Sequence, residues 1–258
     1  PAKLSKVRQT WVRRTSGVFG RVDLGTGNHK MLIGGGSHGY RLVRNAFNFS
    51  RVLAVVGAFI MLTAEPAATA PLVIVALGDS LTAGTGLDHP ELAFPARLQV
   101  ALDAVGVAAD VRNAGVGGDT SAGGLARLHW SVANDADLVI IELGANDALR
   151  GLDPEITYAN LDAIVVGLRE RGIGVLLAGM LAPPNMGREY GEAFRSAYER
   201  IAATHGIAFY PFFLEGVAAE LNYLQRDGMH PNAAGVEIIV GRILPTVLEA
   251  LSALEQMN

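Results

Sequence analysis

The segment LVIVALGDSLTAG, residues 72–84, decides how the rest of the chain is read. Six apolar residues, Leu72 to Leu77, run without a polar interruption and stop at Gly78. An unbroken apolar run of this length, closed by glycine, predicts a strand buried on both faces. Gly78 lets the backbone turn sharply, which leaves Asp79 and Ser80 at the carboxyl end of the strand. A helix starting near Ser80 would aim its free N–H groups at whatever binds there. Asp79 or Ser80 can equally be a simple helix cap, and from this segment alone both readings stand.

Downstream the same unit recurs. Further strands are expected at 109–113, 138–143, 174–180 and 207–210. Helices are expected at 91–105 with Pro95 in the first turn, at 120–134 capped by Asp119 or Thr120, and at 154–171 capped by Asp153. Two more are expected at 189–204 and 232–254, the latter with Pro231 near its start. Five strands separated by helices predict an α/β fold with a five-stranded parallel sheet and helices on both faces. With no repeat or linker inside it, 71–258 reads as one domain. In such sheets ligands bind beyond the carboxyl ends of the strands, so chemistry is expected just after the first three.

Residues with useful chemistry do cluster there. Gly115, Gly117 and Gly118 follow the second strand, where the backbone can approach a substrate closely. Asn146, in Gly144-Ala145-Asn146-Asp147, follows the third and can donate to developing negative charge. An ordinary glycine turn and an Asx turn are the plain alternatives. Of the six histidines, only His230 combines an acidic neighbour at short spacing, Asp227, with a strand-to-helix position. A carboxylate three residues before an imidazole can fix its tautomer.

Upstream, the composition changes. Residues 1–70 carry ten Lys+Arg against two Asp+Glu, and all three lysines, whereas 71–258 carry eleven against twenty-three. The acidic body disfavours nucleic acid as a partner, because phosphate contacts need clustered positive charge. Arg41, Arg44 and Arg51, an apolar run over 52–63, and Ala68-Thr69-Ala70 follow one another as in a secretory signal. Cleavage after Ala70 and a secreted or periplasmic mature protein without a stable membrane anchor are therefore expected; a single buried or amphipathic helix is the alternative. Residues 1–30 read as upstream or disordered extension, with Met31 a plausible start. Gly34–Gly39 satisfies both a dinucleotide-binding and a serine-hydrolase pattern, but lacks the strand-turn-helix context either requires. The chain has no cysteine, which excludes disulfides and cysteine nucleophiles.

Taken together, Gly78-Asp79-Ser80-Leu81, Gly118-Asp119-Thr120, Gly144-Ala145-Asn146-Asp147 and Asp227-Gly228-Met229-His230-Pro231 closely resemble the ordered blocks of the SGNH (GDSL-type) hydrolases. The nearest branch is that of bacterial arylesterases, thioesterases and lysophospholipases. Leu125-Ala126-Arg127-Leu128 and Leu149-Arg150-Gly151 add to the likeness, which spans about 71–250. The family's Gly-Gly-Asn-Asp block stands here with Ala145 in second place. Thr82 stands where the nucleophile elbow of α/β-hydrolases would place glycine.

The resemblance implies a flavodoxin-like three-layer fold and a serine ester hydrolase acting on short-to-medium acyl esters or thioesters, or on lysophospholipids. It implies Ser80 as nucleophile, His230 as base and Asp227 as its partner. The Ser80 and Gly118 N–H groups and the Asn146 side chain would form the oxyanion hole, though which of the three nearby glycines donates is left open. No metal or organic cofactor is implied. Asp79, Leu81, Ala145, Pro183 and Met229 are expected to face substrate, with stretches 86–94, 145–154 and 181–190 flanking the crevice. A carbohydrate O-acetyl esterase, a non-catalytic domain of the same fold and a nucleotide-binding module are the alternatives. Oligomeric state is not read from the sequence.

Overall fold

The computed structural model describes residues 70–256. The expectations for residues 1–30 and for the export signal, including the Gly34–Gly39 motifs, fall outside the described residues. Five strands form one all-parallel sheet: β1 (Leu72–Gly78), β2 (Ala109–Gly115), β3 (Leu138–Glu142), β4 (Gly174–Ala178) and β5 (Ala208–Tyr210), in the order β2-β1-β3-β4-β5. β1 and β3 are central. Every residue of β3 is buried and so is β1 from Ile74 on, which is why both are written almost wholly in aliphatic residues.

The intervening helices are α1 (Ser80–Ala83), α2 (Phe94–Ala104), α3 (Ser121–Ala126), α4 (Leu128–Ser131), α5 (Ala145–Leu149), α6 (Pro154–Glu170), α7 (Arg188–His205) and α8 (Ala233–Glu255). One face of the sheet is covered by α2 and α8, the other by α3, α6 and α7. The predicted three layers are thus present. Successive crossovers run from β1 outward to β2 and then back past β1 to β3. The connection therefore reverses direction beside β1, and the crevice that opens at such a reversal is where ligands bind in open α/β sheets.

Several boundaries differ from expectation. The helix expected at 91–105 begins as a 3-10 turn at Pro90–Leu92, breaks at Ala93, and continues as α2 with Pro95 in its first turn. The helix expected at 120–134 is two short helices, broken at Arg127. Gly123 and Gly124 lower its intrinsic helicity, and the Arg127 side chain turns inward instead of out to water. The stretch 145–154 opens with α5 rather than with loop.

The expected cap at α6 is in place: the Asp153 side chain accepts from Glu155 N–H. Asn232, expected as the first residue of the last helix, instead caps it by accepting from Gly235 N–H. At α3 it is Thr120, not Asp119, that caps.

Candidate active site

The turn after β1 is held from behind by a buried acid. Glu142, the last residue of β3, accepts from Thr82 Oγ1 at 2.8 Å and from Asp79 N–H at 3.3 Å. Space there is tight: a Cβ on Gly78 would lie 2.0 Å from Thr82 Oγ1 and 2.7 Å from Glu142 Oε2. Asp79 caps α1 by accepting from Leu81 N–H at 3.0 Å, so capping falls to Asp79 and leaves the Ser80 hydroxyl unclaimed by that role. Burial pushes the Asp79 carboxyl up to about 6, against the hydrogen bonds from Leu81 and Asn146 that favour its charged form. Burial, and then the neighbouring Asp79 charge, hold Glu142 well above the usual carboxylate range.

The histidine arrives from the far end of the chain. His230 Nε2 lies 2.9 Å from Ser80 Oγ, and His230 Nδ1 lies 2.6 Å from Asp227 Oδ2. An ionised carboxylate can only accept, so Nδ1 carries the proton and the neutral ring presents Nε2 as acceptor to the Ser80 hydroxyl. Asp227 Oδ1 also accepts from the N–H groups of Met229 and His230 at 2.9 and 3.0 Å. The His230 bond, followed by these two, draws the Asp227 carboxyl down to about 2. Gln225 straps the loop in place: its N–H bonds to the His230 carbonyl at 2.8 Å, and its side-chain Nε2 bonds to the carbonyls of Thr85 and Pro231 at 2.8 and 2.9 Å.

The glycine loop separates into distinct jobs. Gly115 ends β2 against α1, where a Cβ would sit 2.3 Å from the Ala83 nitrogen. Val116 to Asp119 form a tight turn, closed by Asp119 N–H to the Val116 carbonyl at 3.1 Å, with Gly118 at φ +77. A positive φ at the third position of such a turn calls for glycine. Gly117 and Gly118 face the crevice, and the Gly118 N–H has no partner among the described residues. Arg150 donates to the Gly118 carbonyl at 2.9 Å.

Asn146 stands in α5, after Gly144 at φ +114. Its Nδ2 donates to Asp79 Oδ2 at 3.0 Å and to the Asp119 carbonyl at 2.9 Å, so both amide hydrogens are engaged. The adjacent Asp147 is buried and accepts from Ser121 N–H at 2.8 Å, from the Ser121 hydroxyl, and from Thr157 Oγ1 at 3.3 Å. This anchors α5 to the start of α3.

These groups open on a cavity of about 320 Å³. Asp79, Leu81, Ala145, Pro183 and Met229 all line it. Stretches 145–154 and 181–190 contribute walls, but 86–94 does not: that segment passes into the 3-10 turn and packs towards α2. Leu149, from the stretch 145–154, completes an apolar wall with Met180 and Leu214, which the sequence reading did not single out. A second cavity of about 310 Å³ lies at the amino ends of β3 to β5, and no histidine or carboxylate lines it. A second histidine–carboxylate pair, His205 Nε2 to Asp162 Oδ1 at 2.7 Å, joins α7 to α6 and lines neither cavity.

Residues 76–238 match the GDSL-like Lipase/Acylhydrolase family. The chain is 42% identical over 191 residues to "Esterase TesA" of Pseudomonas aeruginosa, covering 74% of this chain and 93% of that protein. It is 38% identical over 174 residues to "Thioesterase 1/protease 1/lysophospholipase L1" of Escherichia coli K12, covering 67% and 81%. Among solved structures, AlinE4, an SGNH-hydrolase family esterase, is 44% identical with a TM-score of 0.59, covering 71% of this chain and 98% of that one.

Proposed function

This chain belongs to the GDSL-like lipase/acylhydrolase family and is a carboxylic ester hydrolase, and from that we propose that Ser80, His230 and Asp227 carry out a two-step acyl transfer. The observation that carries this reading is the relay of contacts from Ser80 Oγ to His230 Nε2 at 2.9 Å and from His230 Nδ1 to Asp227 at 2.6 Å. His230 removes the hydroxyl proton as Ser80 Oγ attacks the ester or thioester carbonyl. Asp227, held ionised, stabilises the imidazolium that forms. His230 then protonates the leaving group, and water, activated by the same imidazole, releases the acyl group from Ser80.

Negative charge on the tetrahedral intermediate meets the Ser80 and Gly118 N–H groups and the Asn146 amide. Asn146 serves here only by exchanging, or sharing, one of its two resting bonds. A neutral ester carbonyl is no stronger an acceptor than the Asp119 carbonyl and weaker than the Asp79 carboxylate, whereas an oxyanion outcompetes the Asp119 carbonyl. The contribution of Asn146 therefore belongs to the transition state and not to substrate binding. The apolar wall of Leu149, Met180, Leu181 and Leu214 supports short-to-medium acyl esters or thioesters, with lysophospholipids next. A carbohydrate O-acetyl ester would find few polar partners on that wall.

Ser80→Ala is expected to abolish both hydrolysis of p-nitrophenyl esters and labelling by a fluorophosphonate. Labelling that persists in the variant would place the nucleophile elsewhere. The order of basic, apolar and small residues before Pro71 supports export and a secreted or periplasmic location, which N-terminal sequencing of exported protein tests by yielding Pro71 or a near neighbour. Among the described residues no helix is long and apolar enough to cross a membrane.

A further inference from the structure

We propose that Arg127 is a positioning residue: its buried guanidinium sets the spacing between the strand ends that carry Ser80 and Gly118. The inference rests on the acyl-transfer reading of that site. Arg127 is 5% exposed. Its Nη2 donates to the Gly78 carbonyl at 2.8 Å, and its Nη1 to the Ala114 carbonyl at 2.8 Å. Its Nε donates to Asp119 Oδ2 at 2.6 Å, and Nη1 reaches Ser131 Oγ at 3.1 Å. One planar group thus ties the last turn of β1, the end of β2 and the glycine loop.

These bonds close a ring. From Arg127 the path runs to the Asp119 side chain, from the Asp119 carbonyl to Asn146, from Asn146 to Asp79, and along the backbone to Gly78, whose carbonyl returns to Arg127. Every proposed oxyanion donor is a member of the ring or next to one: Ser80 follows Asp79, Gly118 precedes Asp119, and Asn146 lies within it. Asp79 and Asp119 are the ring's carboxylates and Arg127 its single cation.

Sheet pairing already joins β1 to β2 as far as Gly78 and Gly115, so Arg127 is not needed to hold the strands together. Desolvating a guanidinium is costly, and an apolar residue would fill the same space at lower cost. What the fork adds is a fixed distance from the end of the ladder, held at the Gly78 and Ala114 carbonyls, to Asp119 in the glycine loop, where the backbone has left the sheet. The local break of the helix at Arg127 is the conformational change that lets the side chain reach inward. Lysine keeps the charge but cannot span three acceptors with planar geometry.

Misplacement of donors by about 1 Å can cost on the order of 10²-fold in rate. Arg127→Lys is therefore expected to lower kcat on a p-nitrophenyl ester by about 10²-fold, with KM held within about threefold. Asp119→Asn, which removes the charged partner while keeping its shape, is expected to lower kcat about tenfold or more in the same pattern. Ser131→Ala removes only the bond that leads away from the site and is expected to leave kcat unchanged. Rates are taken per site labelled to completion by fluorophosphonate, so unfolded protein does not count. If Arg127→Lys fails to fold, Asp119→Asn decides alone. A kcat per labelled site within about threefold of wild type in each folded variant would overturn the inference and leave Arg127 a packing residue. Should Ser80→Ala keep its activity and labelling, the acyl-transfer reading itself fails, whatever the Arg127 variants do.

Discussion

Replacing Asn146 by alanine separates two jobs that one side chain holds. The structural job is visible in its bonds to Asp79 Oδ2 at 3.0 Å and the Asp119 carbonyl at 2.9 Å. Losing one neutral hydrogen bond and one to a carboxylate costs about 2–4 kcal/mol of folding stability. Water reaching this part-buried position draws the expectation to the low end. Asp79 also loses a partner that favours its charged form, so its carboxyl moves further above about 6. The proposed chemical job is donation to the oxyanion, whose removal is expected to cost on the order of 10²–10³ in kcat, about 2.7–4 kcal/mol of barrier. Because the resting amide is already engaged, KM is expected to stay within about threefold. Steady-state kinetics on a p-nitrophenyl ester, per fluorophosphonate-labelled site, and urea unfolding measure the two losses independently. Lost stability with kcat within about threefold of wild type would refute the reasoning: Asn146 would then be only a tie between the strand ends.

Two further expectations follow from the same turn. The Asp79 carboxyl, raised from 3.8 to about 6 by burial, stays protonated in the folded chain while the unfolded chain releases its proton. Its contribution to stability is thus fully present below 3.8, is lost as pH rises to about 6 and is constant above. Relative to Asp79→Asn, the wild type should lose up to about 3 kcal/mol across that window. Chemical unfolding of both proteins at each end of it measures the difference, and an unchanged difference would mean Asp79 titrates as a solvated acid. Gly115→Ala places a Cβ 2.3 Å and 2.7 Å from the Ala83 nitrogen and Cα. These are backbone atoms of the helix that begins at Ser80, so overpacking is expected to cost about 1–3 kcal/mol and to lower kcat with it. Thermal unfolding with wild-type kinetics intact would show that α1 yields freely.

The sheet was legible because burial on both faces writes a strand as an unbroken aliphatic run, and β1 and β3 are such runs. The loops of the proposed site were legible because each couples a glycine, which relaxes the backbone, to one residue with useful chemistry at a strand's carboxyl end. What escaped reading depends on partners far apart in sequence. Gln225 reaches Thr85 across 140 residues, and nothing in a polar loop residue announces that. Glu142 did leave a signal, being the lone charge in the run from Leu138 to Leu143, but its partners Thr82 and Asp79 are about sixty residues away. Arg127 sits in a stretch with helical spacing, and only its contacts explain why the helix breaks there. The stretch 86–94 is expected beside the crevice because it follows the turn that carries Ser80. Gly84, at φ +80, ends α1; Thr85 still lines the cavity, and the chain leaves it from Gly86 on.

The contact between the Ser80 hydroxyl and the His230 imidazole bridges 150 positions. A chain growing from the ribosome therefore presents Ser80 long before its proposed base, His230, has been made. Under the proposed acyl-transfer reading, hydrolytic competence waits on His230 being made and on closure of that large loop. Truncated products that end before this point should be inert towards esters, however well their first three strands have formed.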